Sequence, residues 1–208
     1  MSDANTVVVL DFETTGLSPG MGDRAIEIGA VRIENGEVTA RFQELMNPGQ
    51  RVSRAIEDYT GITNAMLVDA RPCAEVMGDF GEFIAGYNLV AHNASFDKRF
   101  LDAELERISV EYSGQFSCSM LAARRIYQFA PNHKLGTLVA YMNIPGDGSF
   151  HRALYDSEMT AKLWLGMLDT IKQQYAVSTV DFKLMQKLTR TPKHAVAGLW
   201  ESASEAHA

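Results

Sequence analysis

The chain has 208 residues, 46% of them hydrophobic, and a formal net charge of −7 at pH 7, which suits one domain with a short appendage and argues against a protein that coats nucleic acid by charge alone, though not against a small site whose bound metals supply a positive field. No stretch approaches the roughly 18 uninterrupted apolar residues of a membrane span, and the segment Met1-Ser2-Asp3-Ala4-Asn5 lacks a basic and apolar signal, so a soluble, cytoplasmic protein is expected. Cys73 and Cys118 stand alone without CxxC spacing, which predicts two reduced core thiols in place of a zinc site or a disulfide framework.

The first third of the chain reads as an antiparallel meander. A β-branched run predicts a strand over about residues 6–12, ending at Asp11-Phe12-Glu13 and a turn that begins Thr14-Thr15-Gly16. Ala25 to Ile33 is a second strand, Asn35-Gly36 signals a tight hairpin, and a third strand runs near Val38 to Met46 before Asn47-Pro48-Gly49. Glu27, in the second strand, reads as a paired or edge-exposed acid and not as a ligand.

From Ser53 the pattern turns helical: Ser53 to Tyr59, a short turn at Ile62-Thr63-Asn64, then Pro72 to Ala85 with Pro72 in the first turn and Gly86 as C-terminal cap. Asn88 to Ala91 is a short strand, and Asn93 or Ser95 is expected to cap a helix running to about Ile108. A strand near Gln115 to Cys118 follows, then helices around Met120–Gln128 and Leu135–Asn143. The loop Pro145-Gly146-Asp147-Gly148-Ser149 precedes a long helix from about Arg152 to Lys172, and the tail Glu201 to Ala206 is expected to be frayed. Antiparallel strands followed by strands alternating with helices predict an α/β fold, a mixed sheet covered by helices.

The positions of the acids on these elements point to chemistry. Asp11 and Glu13 lie on one face of the first strand, about 7 Å apart. A strand that simply reaches solvent would show the same pair, but a cation between them would relieve their repulsion, and oxygen-only ligands favour magnesium or manganese. In the helix after Asn93 the apolar stripe Leu101, Leu105, Ile108 extends back to Asp97, whereas Asp102 and Glu104 read as solvated. In the last long helix the stripe Thr160, Leu163, Met167, Ile171 extends back to Asp156. A single acid heading a buried face is usually a dipole-stabilising residue. Four carboxylates from three distant segments, however, call for a divalent metal. His151, just before the last of these helices, would sit on a mobile loop beside the cluster, where a histidine can serve as general base.

The segments Asp11-Phe12-Glu13-Thr14-Thr15-Gly16, His92-Asn93-Ala94-Ser95-Phe96-Asp97 and His151-Arg152-Ala153-Leu154-Tyr155-Asp156 resemble the three motifs of the DEDDh, or DnaQ-like, 3′–5′ exonuclease superfamily over roughly residues 6–172. Among its members the freestanding bacterial enzymes of the exonuclease X type are the best match. The sister subclass carries Tyr four residues before the last Asp, where this chain has Arg152. The resemblance implies a ribonuclease H-like fold with a five-stranded mixed sheet, an exonuclease domain over residues 1–175 and a helical extension with a tail over 176–208. It further implies that Asp11, Glu13, Asp97 and Asp156 hold two Mg²⁺ (or Mn²⁺) ions and that His151 activates water. Thr14, Thr15, Gly16 and Leu17 would grip the terminal nucleotide, Leu17 wedging against its base, with His92, Asn93 and Phe96 lining the same cleft. Many relatives have a His-Gly-Ile segment at the scissile nucleotide; this chain has Thr60-Gly61-Ile62.

The expected partner is a nucleic acid with a free 3′ end, single-stranded DNA first. The sequence leaves open an exoribonuclease, a homodimer, a proofreading subunit associated with a polymerase, and a non-catalytic binding module, although all five motif positions being intact argues against the last. Lys183, Lys187, Arg190 and Lys193 after the exonuclease region form either a solvated helix face or a strand-holding flap.

Overall fold

The computed structural model describes residues 3–148 and 151–205, with side chains as far as Trp200. Strands β1 (Val7–Thr14), β2 (Ala25–Glu34) and β3 (Glu37–Asn47) form the antiparallel meander. Asn35 and Gly36 both take positive φ, 53° and 85°, as the tight hairpin between β2 and β3 requires. Three further strands, β4 (Arg71–Pro72), β5 (Asn88–Ala91) and β6 (Phe116–Cys118), complete a mixed sheet of order β4-β3-β2-β1-β5-β6, in which β5 runs parallel to both β1 and β6. The expectation of five strands is thereby corrected to six. The added β4 is a two-residue edge strand containing a proline, too short to carry any sequence period.

The helices are α1 (Arg54–Thr60), α2 (Asn64–Val68), α3 (Cys73–Ile84), α4 (Ser95–Arg107), α5 (Ser119–Ile126), α6 (Leu135–Tyr141), α7 (Ala153–Tyr175), α8 (Phe182–Arg190) and α9 (Val196–Glu205). Ser53 caps α1 by accepting from the Ile56 N–H, and Thr63 does the same for α2 through Met66. The segment read as a turn at Ile62-Thr63-Asn64 thus opens a five-residue helix. Helix α4 departs from expectation as well: neither Asn93 nor Ser95 caps it, and Ala94 precedes its first turn without a side-chain bond. The tail expected to fray is helical in its backbone to Glu205, with Ala206 outside the described residues, and Ser149 of the glycine-rich loop also lies outside them.

Alternation along β1 divides the core. Val7 and Val9 pack with α5, α7, α8 and α9, while Val8, Leu10 and Phe12 pack with α3 and α4. Phe182, Met185 and Leu188 turn inward on the first of these layers, so the helical extension shares the apolar cluster of α7. Both cysteines are buried free thiols. The long helix α7 crosses β2 at Gly29, where a Cβ would fall 2.0 Å from the Leu154 nitrogen and 2.2 Å from the Ala153 carbonyl carbon, and Ser157 Oγ donates to the Gly29 carbonyl at 2.8 Å. Only glycine permits that approach, and the approach brings the first turn of α7 to the sheet. Among the described residues no helix is long and apolar enough to cross a membrane.

Candidate active site

Three elements converge at the C-terminal end of β1. The strand supplies Asp11 and Glu13, the first turn of α4 supplies Asp97, and the first turn of α7 supplies Asp156. Asp97 Oδ1 accepts the Phe12 N–H at 3.1 Å, tying α4 to the strand. Asp156 Oδ2 accepts the His151 N–H at 3.1 Å, while its Oδ1 is buried with no hydrogen-bond partner. Ligand atoms of Glu13, His151 and Asp156 all lie within 4.8 Å of one another. His151 has φ of 70°, a left-handed conformation that costs a non-glycine residue about 1 kcal/mol. Its ring packs on Tyr59 with centroids 4.2 Å apart.

The electrostatics of the cluster are those of crowded, desolvated acids. Burial holds Asp11 well above the usual carboxylate range, and the charges of Asp97, Glu13 and Asp156 raise it further. Burial, then Asp156 and Glu27, push Glu13 up to about 8. Asp97 and Asp156 are also raised by burial, against the opposing hydrogen bonds from Phe12 and His151. Carboxyls that retain protons for want of counter-charge, with an orphaned inward oxygen among them, fit a divalent cation bound through oxygen.

The cleft encloses about 380 Å³ and brings together all five candidate catalytic residues with Thr14, Gly16, Leu17, His92 and Phe96. Leu17 stands 76% exposed at its mouth. Asn93 lines the adjoining cavity, which shares His92, His151 and Asp156 with the cleft. Thr15 is turned away: its hydroxyl donates to Asp23 at 3.3 Å and accepts from the Arg24 N–H at 3.0 Å, holding the loop in shape. His92 lines the cleft, but both ring nitrogens are engaged inside the protein. Nε2 lies 2.9 Å from the His133 carbonyl, which can only accept, so Nε2 carries the proton and Nδ1 accepts from Ser119. Burial pulls the His92 imidazole down to about 4, keeping it neutral. Its polar atoms therefore brace the wall of the cleft.

Other residues of the site were not singled out from the sequence. Ile56, Tyr59 and Leu135 line the cleft beside Thr60, and Lys134 the adjoining cavity. Tyr59 meets His151 from a distant part of the chain, and no local pattern announces that contact. Thr60, at the position of the departed histidine, spends its hydroxyl on the Ile56 carbonyl and the Ile62 N–H. Glu27 is wholly buried and paired with Arg152, also receiving the Ala153 N–H at 3.1 Å. Asp102 is half-exposed, pairing with Lys98 and accepting the Tyr112 hydroxyl at 2.6 Å. Glu104 corrects the expectation of a solvated acid: it is 2% exposed and holds Arg24 through two bonds of 2.8 and 2.9 Å. It sits seven residues after Asp97 on the same buried stripe, as Phe100 does at three.

This arrangement has close counterparts. The exonuclease family model RNase_T matches residues 8–164. DNA polymerase III PolC-type of Bacillus subtilis is 41% identical over 168 residues, covering 80% of this chain and 12% of the relative, and that of Bacillus cereus is 39% identical over 167 residues with the same coverage. The chain therefore spans about an eighth of the length of these curated relatives. Exonuclease X in complex with 5′ overhanging duplex DNA superposes with a TM-score of 0.68 at 25% identity, over 88% of this chain and 99% of that one. The nuclease domain of 3′hExo, a DEDDh family member bound to rAMP, reaches 0.68 at 21% identity over 79% and 92%, a likeness of fold. The chain belongs to the RNase_T exonuclease family and carries a DEDDh-type 3′–5′ exonuclease domain, of a metal-dependent hydrolase class.

Proposed function

We propose that the chain is a 3′–5′ exodeoxyribonuclease that releases nucleoside 5′-monophosphates, chiefly from single-stranded DNA. The observation that carries this reading is the convergence of Asp11, Glu13, Asp97 and Asp156 with His151 around one cleft, with Asp156 Oδ1 buried and unpartnered. In this reading the four carboxylates hold two Mg²⁺ (or Mn²⁺) ions. When bound, the pair would lower the pKa of the attacking water and stabilise the departing 3′-oxygen. His151 takes the proton from that water, its backbone already fastened to Asp156. The Thr14–Leu17 turn grips the terminal nucleotide, Leu17 presses on its base, and Phe96 and Asn93 line the path, with His92 bracing the wall. Contacts of this kind accept any base and predict little sequence preference. In this reading residues 1–175 are the catalytic unit and 176–208 an extension, whose Phe182, Met185, Leu188 and Trp200 share the apolar cluster of α7.

DNA as substrate is supported by the PolC-type relatives and by the duplex DNA bound to Exonuclease X. The same PolC-type relatives favour a second reading, a proofreading module acting alongside a polymerase. The test is degradation of matched, labelled single-stranded DNA, duplex DNA and RNA with magnesium, manganese, calcium or excess chelator. Magnesium and manganese should support cleavage and calcium poorly, because its longer and looser coordination suits the site less. Asp11→Asn, Glu13→Gln, Asp97→Asn or Asp156→Asn should each abolish nearly all turnover. Full activity in excess chelator would overturn the reading, and preference for RNA would replace its substrate.

A further inference from the structure

Charge is segregated along this acidic chain. Residues 113–146 and 182–200 contain seven Lys and Arg and no Asp or Glu, whereas the whole chain has 19 basic against 26 acidic residues. The first segment contributes Arg124, Arg125 and Lys134 from α5 and the loop after it; the second contributes Lys183, Lys187, Arg190 and Lys193 from α8 and the turn beyond. Two independent contacts join the segments: Arg125 Nε donates to the Thr191 carbonyl at 3.1 Å, and Gln128 Nε2 to the Lys193 carbonyl at 3.3 Å. With Phe182, Met185 and Leu188 turned into the core, the basic side chains of α8 face outward, and none of the seven forms an ion pair among the described residues.

Two features give this face a direction and a chemistry. It begins at the reaction site, since Lys134 lines the cavity that contains His151 and Asp156, and the His92 ring of the cleft wall bonds to His133 beside it. It continues into a groove of about 250 Å³ bordered by Arg125, Phe129, Lys193 and His194. Phe129 is 94% exposed there. An aromatic ring that solvent surrounds, set among cations, offers a π-face for a base and charges for its phosphates, the combination used by proteins that hold single strands. An acidic protein partner would match the charge alone.

We propose that the face formed by α5, the 127–134 loop and α8 is a second nucleic-acid contact, which holds the single strand beyond the nucleotide being removed. The proposal rests on the exonuclease reading and adds to it a reason for processive grip on longer substrates. It is tested with oligodeoxynucleotides graded from a dinucleotide to roughly 20 nucleotides. For the wild-type chain KM should fall as the strand lengthens. In the variant combining Lys183→Gln, Lys187→Gln, Arg190→Gln and Lys193→Gln, the gain with length should be largely lost, KM for the longest strand rising about tenfold or more. The slope of log KM against log salt should flatten by about 0.7 for each phosphate contact removed. Phe129→Ala should raise KM for long strands on the order of tenfold with less change in the salt slope. Fluorescence anisotropy of the same oligonucleotides in calcium reads binding without turnover, so a failure of the exonuclease reading is distinguished from a failure of this one. Variants that bind, and respond to strand length and salt, as the wild type does would overturn the proposal and leave the face to an acidic protein partner.

Discussion

Arg152, the residue after His151, lays two guanidinium nitrogens on the carboxylate of Glu27, at 2.9 and 3.2 Å, and Glu27 is wholly buried. The same carboxylate accepts the Ala153 N–H that opens α7 and a bond from Gln43 Nε2 at 3.1 Å. Glu27 thus moors the short segment that carries His151 on one side and Asp156 on the other to the middle of the sheet. Replacing it with Ala would strand these donors. A loss of about 2–3 kcal/mol is expected, below the value for a fully buried pair because Arg152 is 43% exposed. Turnover should fall about tenfold through loosening of the His151 segment, far less than for Asp11→Asn. Thermal unfolding and single-turnover cleavage measure the two effects, and an unchanged melting temperature would count against the mooring role.

Gly29 makes a second, steric demand on the same helix. A methyl group there would collide with the backbone of Ala153 and Leu154 at 2.0–2.2 Å, with no flexible side chain to yield. Gly29→Ala should therefore push the first turn of α7 off β2, costing about 3 kcal/mol or more. Because Asp156 rides on that turn, activity should fall together with stability. A folded variant with wild-type cleavage would show that α7 can shift without cost to the site.

Length and apolar pattern decide which parts of the fold are legible in the sequence. The strands β1, β2, β3 and β5 and the helix α7 could be read because each is long or strongly patterned, and Asp97 and Asp156 because each extends an apolar stripe by one turn. Glu104 escapes the reading because the stripe Leu101, Leu105, Ile108 leaves out Phe100 and the acid that shares its face. Helix α2 and strand β4, at five and two residues, are fixed by packing more than by local pattern. Thr15, His92 and Tyr59 show the limit more sharply. Composition and motif put the first two at the site, but whether a hydroxyl or an imidazole faces the cleft or spends its bonds on Asp23 and His133 is decided by distant chain. The tilted ring contact of Tyr59 with His151 is likewise visible only in three dimensions.

The crowded acids predict an inverted response to pH. Glu13 titrates near 4.5 when unfolded and about 8 when folded, so the native state holds the proton more tightly. Stability from this group is present below about pH 4.5 and is lost as pH rises toward about 8, and Asp11, Asp97 and Asp156, all raised, act in the same sense. His92 acts oppositely: its folded value of about 4 against 6.5 costs stability as pH falls between those values. The metal-free protein should therefore be most stable on the acid side of neutrality. Magnesium should raise the melting temperature more at pH 8 than at pH 6, since it replaces protons in the cluster. Glu13→Gln should flatten the alkaline limb in chelator, and a metal-free stability that climbs steadily from pH 6 to 8 would contradict the account.

His151 separates a working nuclease from a protein that only holds nucleic acid. Its backbone N–H is bonded to Asp156 and its ring rests on Tyr59, contacts that use neither ring nitrogen. Removing the ring should leave the carboxylates and the strand-binding wall in place. His151→Ala is then expected to lower the single-turnover rate by about 10²–10⁴, the range for loss of a general base. Affinity for a 3′-labelled oligonucleotide, measured in calcium, should change little, because the interaction lost belongs to the transition state. A near wild-type rate in the variant would remove His151 as the base. Undetectable cleavage of DNA and RNA by the wild-type chain, with binding intact, would favour the binding module.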